Sequence, residues 1–345
     1  MNTTRVAILI ATFRRAAGLE RALRSVAAQR RSFEQAGVTT SIAIRAVVAN
    51  NDPADPAPDE ITTRVARETG LDITLVAEAA RGPAHARNRA LREAHGSCDA
   101  IAFLDDDEEA TPGWIAALLA TKSRFGADVV TGGIVPRFEP PPGHEAPMSW
   151  TPPSWAVEGR FFARPERATG STRPWAFTGN VLFDAALLDR LPVWFDGRFM
   201  QGEDRHFFAR MAATGARIVW CAEEPPIEHV PALRVEPTWL VRRMRAIGRS
   251  VTAIELDTPR APFARARNLA KGVAWCAIAL VEWVAGGIVA LFTRSPVRLF
   301  TALMHLSYGV GLIEGALGGI GAPSTGTSRI SGSSGVSGGG SSPRS

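Results

Sequence analysis

Over the first 131 residues, short apolar runs alternate with segments of helical periodicity. The runs at 6–11, 42–50, 73–77, 100–104 and 129–131 are four to nine residues or shorter and rich in Val, Ile and Ala, which predicts strands. Between them, the spacing predicts helices near 18–30, 59–69, 83–95 and 112–124. In the first of these, Leu19, Ala22, Leu23 and Val26 recur at i, i+3, i+4 and i+7, the stripe of a core-facing helix. Such alternation predicts an α/β fold, a mostly parallel sheet with helices on both faces. Right-handed crossovers then gather the functional loops at the C-terminal ends of the strands.

From 136 to 174 the texture changes to Pro, Trp and Phe with weak periodicity, read as long loops or an inserted acceptor-side lobe. Helical patterns return at 185–190, 204–214 and 237–249. The stretch 273–292 is apolar except for Glu282 and long enough to cross a bilayer, whereas 299–318 is interrupted by His305 and Glu314. Membrane association is favoured over a buried or dimer-forming helix pair. The tail from 318 to 345 is Gly/Ser-rich, the composition of a disordered segment. The expected organisation is a domain over 1–255, divided into halves at 131/132, then hydrophobic helices over 256–317 and the tail.

Composition adds little. Cys98, Cys221 and Cys276 are widely spaced and fit neither a disulfide framework nor a CxxC metal site, which points to a reducing compartment. No secretory signal is expected at the start of the chain. A net charge of +5 favours anionic partners. The arginines at 242, 243, 245 and 249 lack interleaved aromatics at base-stacking spacing, so nucleic-acid binding is not expected.

Candidate chemistry concentrates in a few places. Asp105, Asp106 and Asp107 follow one another at the end of an apolar strand, where their mutual repulsion calls for a neutralising cation. Hard oxygen ligands suit Mg²⁺ or Mn²⁺, while a solvated acidic turn is the plainer alternative. Glu203 and Asp204 open a helical pattern, as an N-terminal acidic pair favoured by the helix dipole or as a general base. Arg81-Gly82-Pro83 leads into a helix bearing Arg87, which would suit a phosphate or a basic exposed face. His229 is open between a packed histidine and a ligand. Trp150, Trp155, Trp175 and Trp194 crowd the acceptor-side region, either as sugar-stacking faces or as core anchors.

Taken in order, ILIATFRR, VVANNDP, RGPAHARNRAL, FLDDDEEATPGW, TGNVLFD, GEDRHFFARM and EHVPALR form a pattern. The chain resembles the family 2 glycosyltransferases with a GT-A fold, and among them bacterial exopolysaccharide transferases of the succinoglycan type. The resemblance runs from about residue 6 to 250. It implies transfer of a sugar from a nucleoside-diphosphate donor, a UDP-sugar in the first instance, to a saccharide or lipid-linked acceptor hydroxyl at the cytoplasmic face of the cell membrane.

By the same resemblance, Ala11, Thr12 and Phe13 line the donor's base, with Asn50 where the family usually carries Asp. Arg87 lies near the ribose or diphosphate, and Asp105 and Asp106 contact the donor. Asp105 and Asp107 are the ends of a DxD motif for a divalent metal, Mg or Mn, with His229 as a further possible ligand. Asp204 acts as base beside Glu203. A base opposite the leaving group implies inversion, and the lack of a QxxRW motif implies one sugar per event. The competing readings are a nucleotidyltransferase and a non-catalytic nucleotide-sugar-binding membrane scaffold.

Overall fold

The computed structural model describes residues 3–35, 42–141, 151–158, 161–162, 167–257, 263–293 and 295–318. Trp150 and the Gly/Ser-rich tail beyond 318 lie outside them. The first half reads β1 (Thr4–Thr12), α1 (Ala16–Gln35), β2 (Ile42–Asn50), α2 (Ala57–Thr69), β3 (Asp72–Ala77), α3 (Pro83–Ala94), β4 (Ala100–Phe103), β5 (Glu108–Glu109), α4 (Trp114–Phe125) and β6 (Val129–Gly132). The second continues with β7 (Val135–Glu139), α5 (Ser154–Glu158), β8 (Thr172–Arg173), β9 (Val181–Asp184), a 3₁₀ turn (Ala185–Arg190), α6 (Glu203–Ala213), β10 (Ile218–Cys221), β11 (Ile227–Pro231) and a second 3₁₀ turn (Ala232–Val235). Three long helices follow: α7 (Pro237–Asp257), α8 (Ala264–Thr293) and α9 (Val297–Leu317).

The large sheet has the order β3-β2-β1-β4-β9-β6-β10-β8. The expected strands and the helices α2, α3, α4 and α6 are present within a few residues of their predicted ends, whereas α1 and α7 run five and eight residues past theirs and 185–190 forms a 3₁₀ turn. The sheet is more mixed than expected, because β9 runs antiparallel between β4 and β6. Since β9 comes from beyond residue 131, the sheet does not divide at that point.

Both faces of the sheet are covered, which explains the nearly continuous apolar runs. Along β1, Val6, Ile8 and Ile10 join the core under α1, α2 and α4, while Ala7 and Leu9 join the core under α3 and α6. Strands β1, β2 and β4 are parallel, with Thr12 opposite Asn50 and Leu9 opposite Phe103. Their C-terminal ends therefore deliver Thr12, Asn50 and Asp105 to one edge.

A small sheet, β5-β11-β7, stands beside that edge. The backbone N–H of His229 in β11 donates to the Asp107 carbonyl at 2.8 Å, which fastens this sheet to the acidic turn.

The C-terminal helices are built differently. Helix α9 lies against both α7 and α8 with glycine at the closest approaches. A Cβ on Gly248 would fall 2.4 Å from the Tyr308 carbonyl oxygen, and one on Gly311 would fall 2.1 Å from that of Arg245. Small residues at such crossings let backbones meet. Leu240, Phe300 and Met304 bury together with flanking Trp155, Phe161 and Trp239, so α9 also packs against the segment around α5.

Helix α8 presents Leu280, Val281, Trp283 and Val284 outward, each more than half exposed. Among the described residues it is the one helix long and apolar enough to cross a membrane: within Ala264–Ala290, an 18-residue window reaches a mean hydropathy of 1.9. Within this apolar pair, Glu282 and His305 face each other at 2.6 Å.

The glycine contacts generate a test. Gly248→Val should force α7 and α9 apart, an overpacking cost of about 1–3 kcal/mol. Thermal unfolding should show a midpoint lowered by several degrees; an unchanged midpoint would mean that the crossing is looser than described.

Candidate functional site

The turn after β4 is organised by side chains that come from far along the chain. Glu108 is buried and accepts the Asp105 N–H at 3.0 Å, while its own N–H donates to the Asp105 carbonyl at 3.0 Å. This closes the turn and sends the three aspartates in different directions.

Asp106 points inward. Its Oδ2 accepts from Thr12 Oγ1 at 2.9 Å and from the Phe13 N–H at 3.4 Å, and its Oδ1 pairs with Arg15 at 2.7 Å. Burial raises its carboxyl above the usual range, with Arg15 opposing. Asp106 thus braces β1 against the turn, with both oxygens used inside the protein.

Asp105 meets Arg87. One guanidinium nitrogen of Arg87 is 2.9 Å from Asp105 Oδ1, and the other makes a short contact with Glu203 Oε1 at the head of α6. Arg87 is 8% exposed and Glu203 6%, so this arm of the bridge is out of water, while the Asp105 arm is partly exposed. Burial alone would lower the Arg87 pKa, but Asp105 and Glu203 hold it above its ordinary value. Burial pushes the Glu203 carboxyl up, and Arg87 opposes that shift. The sequence places Arg87 on the sheet-facing side of α3 among Ala84, Ala86, Ala90 and Leu91, where only a paired charge is tolerated. Its neighbour Asn88 exchanges two hydrogen bonds with the Phe195 backbone, at 2.7 and 2.9 Å, which pins the loop leading to α6.

Asp107 meets two arginines that sequence reasoning did not single out. Its Oδ2 lies 2.9 Å from Arg15 and 2.7 Å from Arg234. Arg15 precedes α1, and Arg234 sits in the 3₁₀ turn after β11; only the fold brings them together.

Helix α6 begins at Gly202, whose φ of +76° lies in the left-handed region. A Cβ there would also press on Ile254 at 3.2 Å and Ser250 at 3.3 Å. This turn sets the direction of Glu203 and Asp204. Asp204 is half-buried, and its Oδ1 accepts the Arg205 N–H at 2.6 Å.

Other predicted residues stand further out. Phe13 is half-buried between the guanidiniums of Arg14 and Arg81, 5.2 and 4.4 Å from its ring centre. Ala11 is half-buried at the same edge. Asn50 shapes the turn after β2, donating to the Asp55 carbonyl at 3.2 Å and accepting from the Asp52 N–H at 2.9 Å. Its neighbour Asn51 ties that turn to Glu78, Ala80 and Gly82.

His229, read as a further metal ligand, lies in the small sheet. Its ring is buried with Nδ1 2.9 Å from Glu139 and Nε2 3.1 Å from Glu109, so both nitrogens are spent within the small sheet. Its contribution to the site is its backbone N–H on the Asp107 carbonyl. Trp155 and Trp194 behave as anchors, donating to the Val235 and Leu188 carbonyls. Trp175 is half-buried with Arg173 and Arg205 over its ring at 5.2 and 5.0 Å.

A further cluster was invisible in the sequence. His206 Nε2 is 2.9 Å from Asp257 Oδ2, and Arg198 pairs with Asp196 at 2.6 Å and with Asp257 at 2.9 Å. Asp196, His206 and Asp257 are close enough to hold an ion, but a guanidinium already bridges the two carboxylates. Burial pulls the His206 imidazole below its ordinary pKa.

The sequence model described as "Glycosyl transferase family 2" matches residues 7–189. The chain belongs to glycosyltransferase family 2. It is 33% identical over 246 residues to the succinoglycan biosynthesis protein ExoM of Rhizobium meliloti (strain 1021), covering 70% of this chain and 72% of that one. Its fold is similar to that of the mannosyltransferase PcManGT from Pyrobaculum calidifontis, solved in complex with GDP-Man and Mn²⁺. That likeness has a TM-score of 0.59 at 19% identity, over 91% of this chain and 88% of the other. The chain is thus a family 2 glycosyltransferase with a GT-A-like fold, which sets aside the nucleotidyltransferase and scaffold readings.

The buried bridge of this glycosyltransferase predicts a stability effect. Arg87→Met leaves Asp105 and Glu203 uncompensated and should destabilise the protein by about 3–5 kcal/mol. Adding Glu203→Gln should recover part of the loss in chemical denaturation. Additive losses in the double variant would show that the two side chains are not coupled.

Proposed function

We propose that the enzyme transfers one sugar, with inversion, from a nucleoside-diphosphate sugar to a saccharide acceptor hydroxyl. The donor is read as a UDP-sugar and the acceptor as a lipid-linked saccharide of exopolysaccharide synthesis, at the cytoplasmic face of the membrane. The observation that carries the reading is the Arg87 bridge, which sets Asp105 and the Glu203-Asp204 helix head on one guanidinium. The succinoglycan assignment of the relative in Rhizobium meliloti supports the exopolysaccharide part.

A divalent cation, Mg²⁺ or Mn²⁺, fits the residues at the acidic turn. Asp105, Asp106, Asp107 and Glu203, four carboxylates, pair among the described arginines with Arg15, Arg87 and Arg234. That leaves an excess of negative charge in hard oxygen donors. Asp105 and Asp107 would hold the ion, since Asp106 is committed to Thr12 and Phe13. When bound, the ion supplies Lewis-acid stabilisation of charge on the departing nucleoside diphosphate.

The protein's own groups do the rest. Phe13, with Arg14 and Arg81 around it, gives the nucleotide a flat face in a positive setting. Arg87 holds Asp105 and α6 at fixed separation. Asp204, half-buried at the head of α6, takes the proton from the acceptor hydroxyl. A single base on the face opposite the leaving group gives inversion. Trp175, with its flanking arginines, offers a sugar-stacking surface beside Arg205.

We assign 1–255 to the transferase and 256–317 to membrane association, supported by the exposed apolar face of α8 and by Arg265, Arg267 and Lys271 at its start. A basic flank favours the cytoplasmic leaflet, where nucleotide sugars are made.

Two measurements test this reading. Asp204→Asn should lower kcat by about 10²- to 10⁴-fold with little change in donor affinity. A kcat within a few-fold of the unaltered enzyme would transfer the role to Glu203 or elsewhere. Asp107→Ala and EDTA should each abolish transfer, with Mn²⁺ or Mg²⁺ restoring only the EDTA-treated enzyme. Full activity of Asp107→Ala in chelator would remove the cation from the mechanism.

A further inference from the structure

Asp107 Oδ2, one of the oxygens a cation would need, is ion-paired with two guanidiniums at once, Arg15 at 2.9 Å and Arg234 at 2.7 Å. Two like charges are drawn to one oxygen, and neither depends on it for its position. Arg15 keeps a second anchor on Asp106 Oδ1 at 2.7 Å, and Arg234 keeps one on Glu228 Oε1 at 3.1 Å. The Arg234 stem also lies by Trp239, 5.9 Å from guanidinium to ring centre. Arg15 is nearly half exposed and Arg234 is 18% exposed at the side chain, so both heads border the open edge of the site.

We propose that Arg15 and Arg234 are exchangeable counter-ions: they occupy Asp107 while the site is empty and turn to the donor's diphosphate when a cation takes Asp107. The inference rests on the reading that Asp107 receives the cation, and it adds two donor-binding residues to that reading. The chemistry follows from charge. A divalent cation arriving alone must evict or face two guanidiniums, so it is held weakly. A diphosphate arriving with it offers those guanidiniums oxygens that match their planar, forked donors. Each arginine swings about its retained anchor, Asp106 or Glu228, so no backbone movement is required. No covalent bond changes; two ion pairs are traded for two others.

This arrangement makes an unusual demand on the variants. Removing a positive charge should improve binding of the cation alone, because the eviction cost falls, and should impair binding of the nucleotide. The test uses the full chain in detergent, with Mn²⁺ titrated and free Mn²⁺ followed by electron paramagnetic resonance, in the absence of nucleotide and then with saturating UDP or GDP. Arg234→Gln and Arg15→Gln should each bind Mn²⁺ alone about tenfold more tightly than the unaltered chain. Each should bind the Mn²⁺–nucleotide pair more weakly, so the ratio between the two conditions contracts. Arg234→Lys, which keeps the charge, should stay near the unaltered chain for Mn²⁺ alone.

If Arg234→Gln does not fold, Arg15→Gln at its exposed position carries the same test. Unchanged or weaker Mn²⁺ binding by the glutamine variants, with binding still lost in Asp107→Asn, would overturn the exchange and leave the cation site standing. Mn²⁺ binding that survives Asp107→Asn would instead overturn the site itself. These outcomes distinguish the two.

Discussion

The buried guanidinium of Arg87 is the constraint on which the rest of the site depends. A strand end and a helix head, separated by nearly a hundred residues, are held by one arginine: Glu203 brings its carboxylate into a place from which water is excluded, while Asp105 stays partly exposed. Glu203 would not tolerate that burial alone, and Asp105 and Glu203 brought together would repel. One planar cation with two donor faces resolves both problems and fixes their distance. Asn88, one residue further along α3, clasps the loop ahead of α6, so a single helix sets both the acidic turn and the acidic helix.

Much of this architecture is legible in the sequence because it follows from periodicity. A strand buried on both faces must be apolar throughout, as 6–11 and 42–50 are, and a helix lying on it must show a 3.6-residue stripe. The acidic turn, the Arg87 helix and the Glu203-Asp204 pair were visible for the same reason, as charges placed where a sheet gathers its loops. What stayed hidden depends on pairing across the fold. Arg15 and Arg234 look like ordinary surface arginines until β11 fastens onto Asp107. The glutamates that occupy His229 come from two different strands, β5 and β7, and no local spacing announces them. Strand β9 is only four residues long, and its direction is set by neighbours rather than by its own composition. Asn50 could be placed from its neighbours, but whether its amide faced a ligand or its own turn could not.

The C-terminal helices obey a different logic from the α/β body. The body is held by burial of large side chains such as Phe103, Phe183 and Phe207, whereas α7 and α9 meet where side chains are missing. Close backbone contact of that kind works whether the surroundings are water or lipid, because it does not depend on driving apolar surface out of solvent. Helix α8 can thus keep its large apolar residues turned outward while α9 remains rigidly attached to the catalytic body. The aromatics Trp155 and Trp239 pack beside α9, so one cluster ties the apolar helices to the α/β body.

The position of β9 also bears on how the chain acquires its structure during synthesis. Strands β4 and β6 are made early, but the place between them is filled only when residues 181–184 arrive. Until then the growing chain holds two unpaired strand edges, open to mispairing with another nascent chain. Closing that gap is a long-range contact, of the sort that slows folding relative to local helix formation. A ribosome releasing only the first 131 residues would therefore yield a sheet with its centre missing, so that stretch is not a unit of folding.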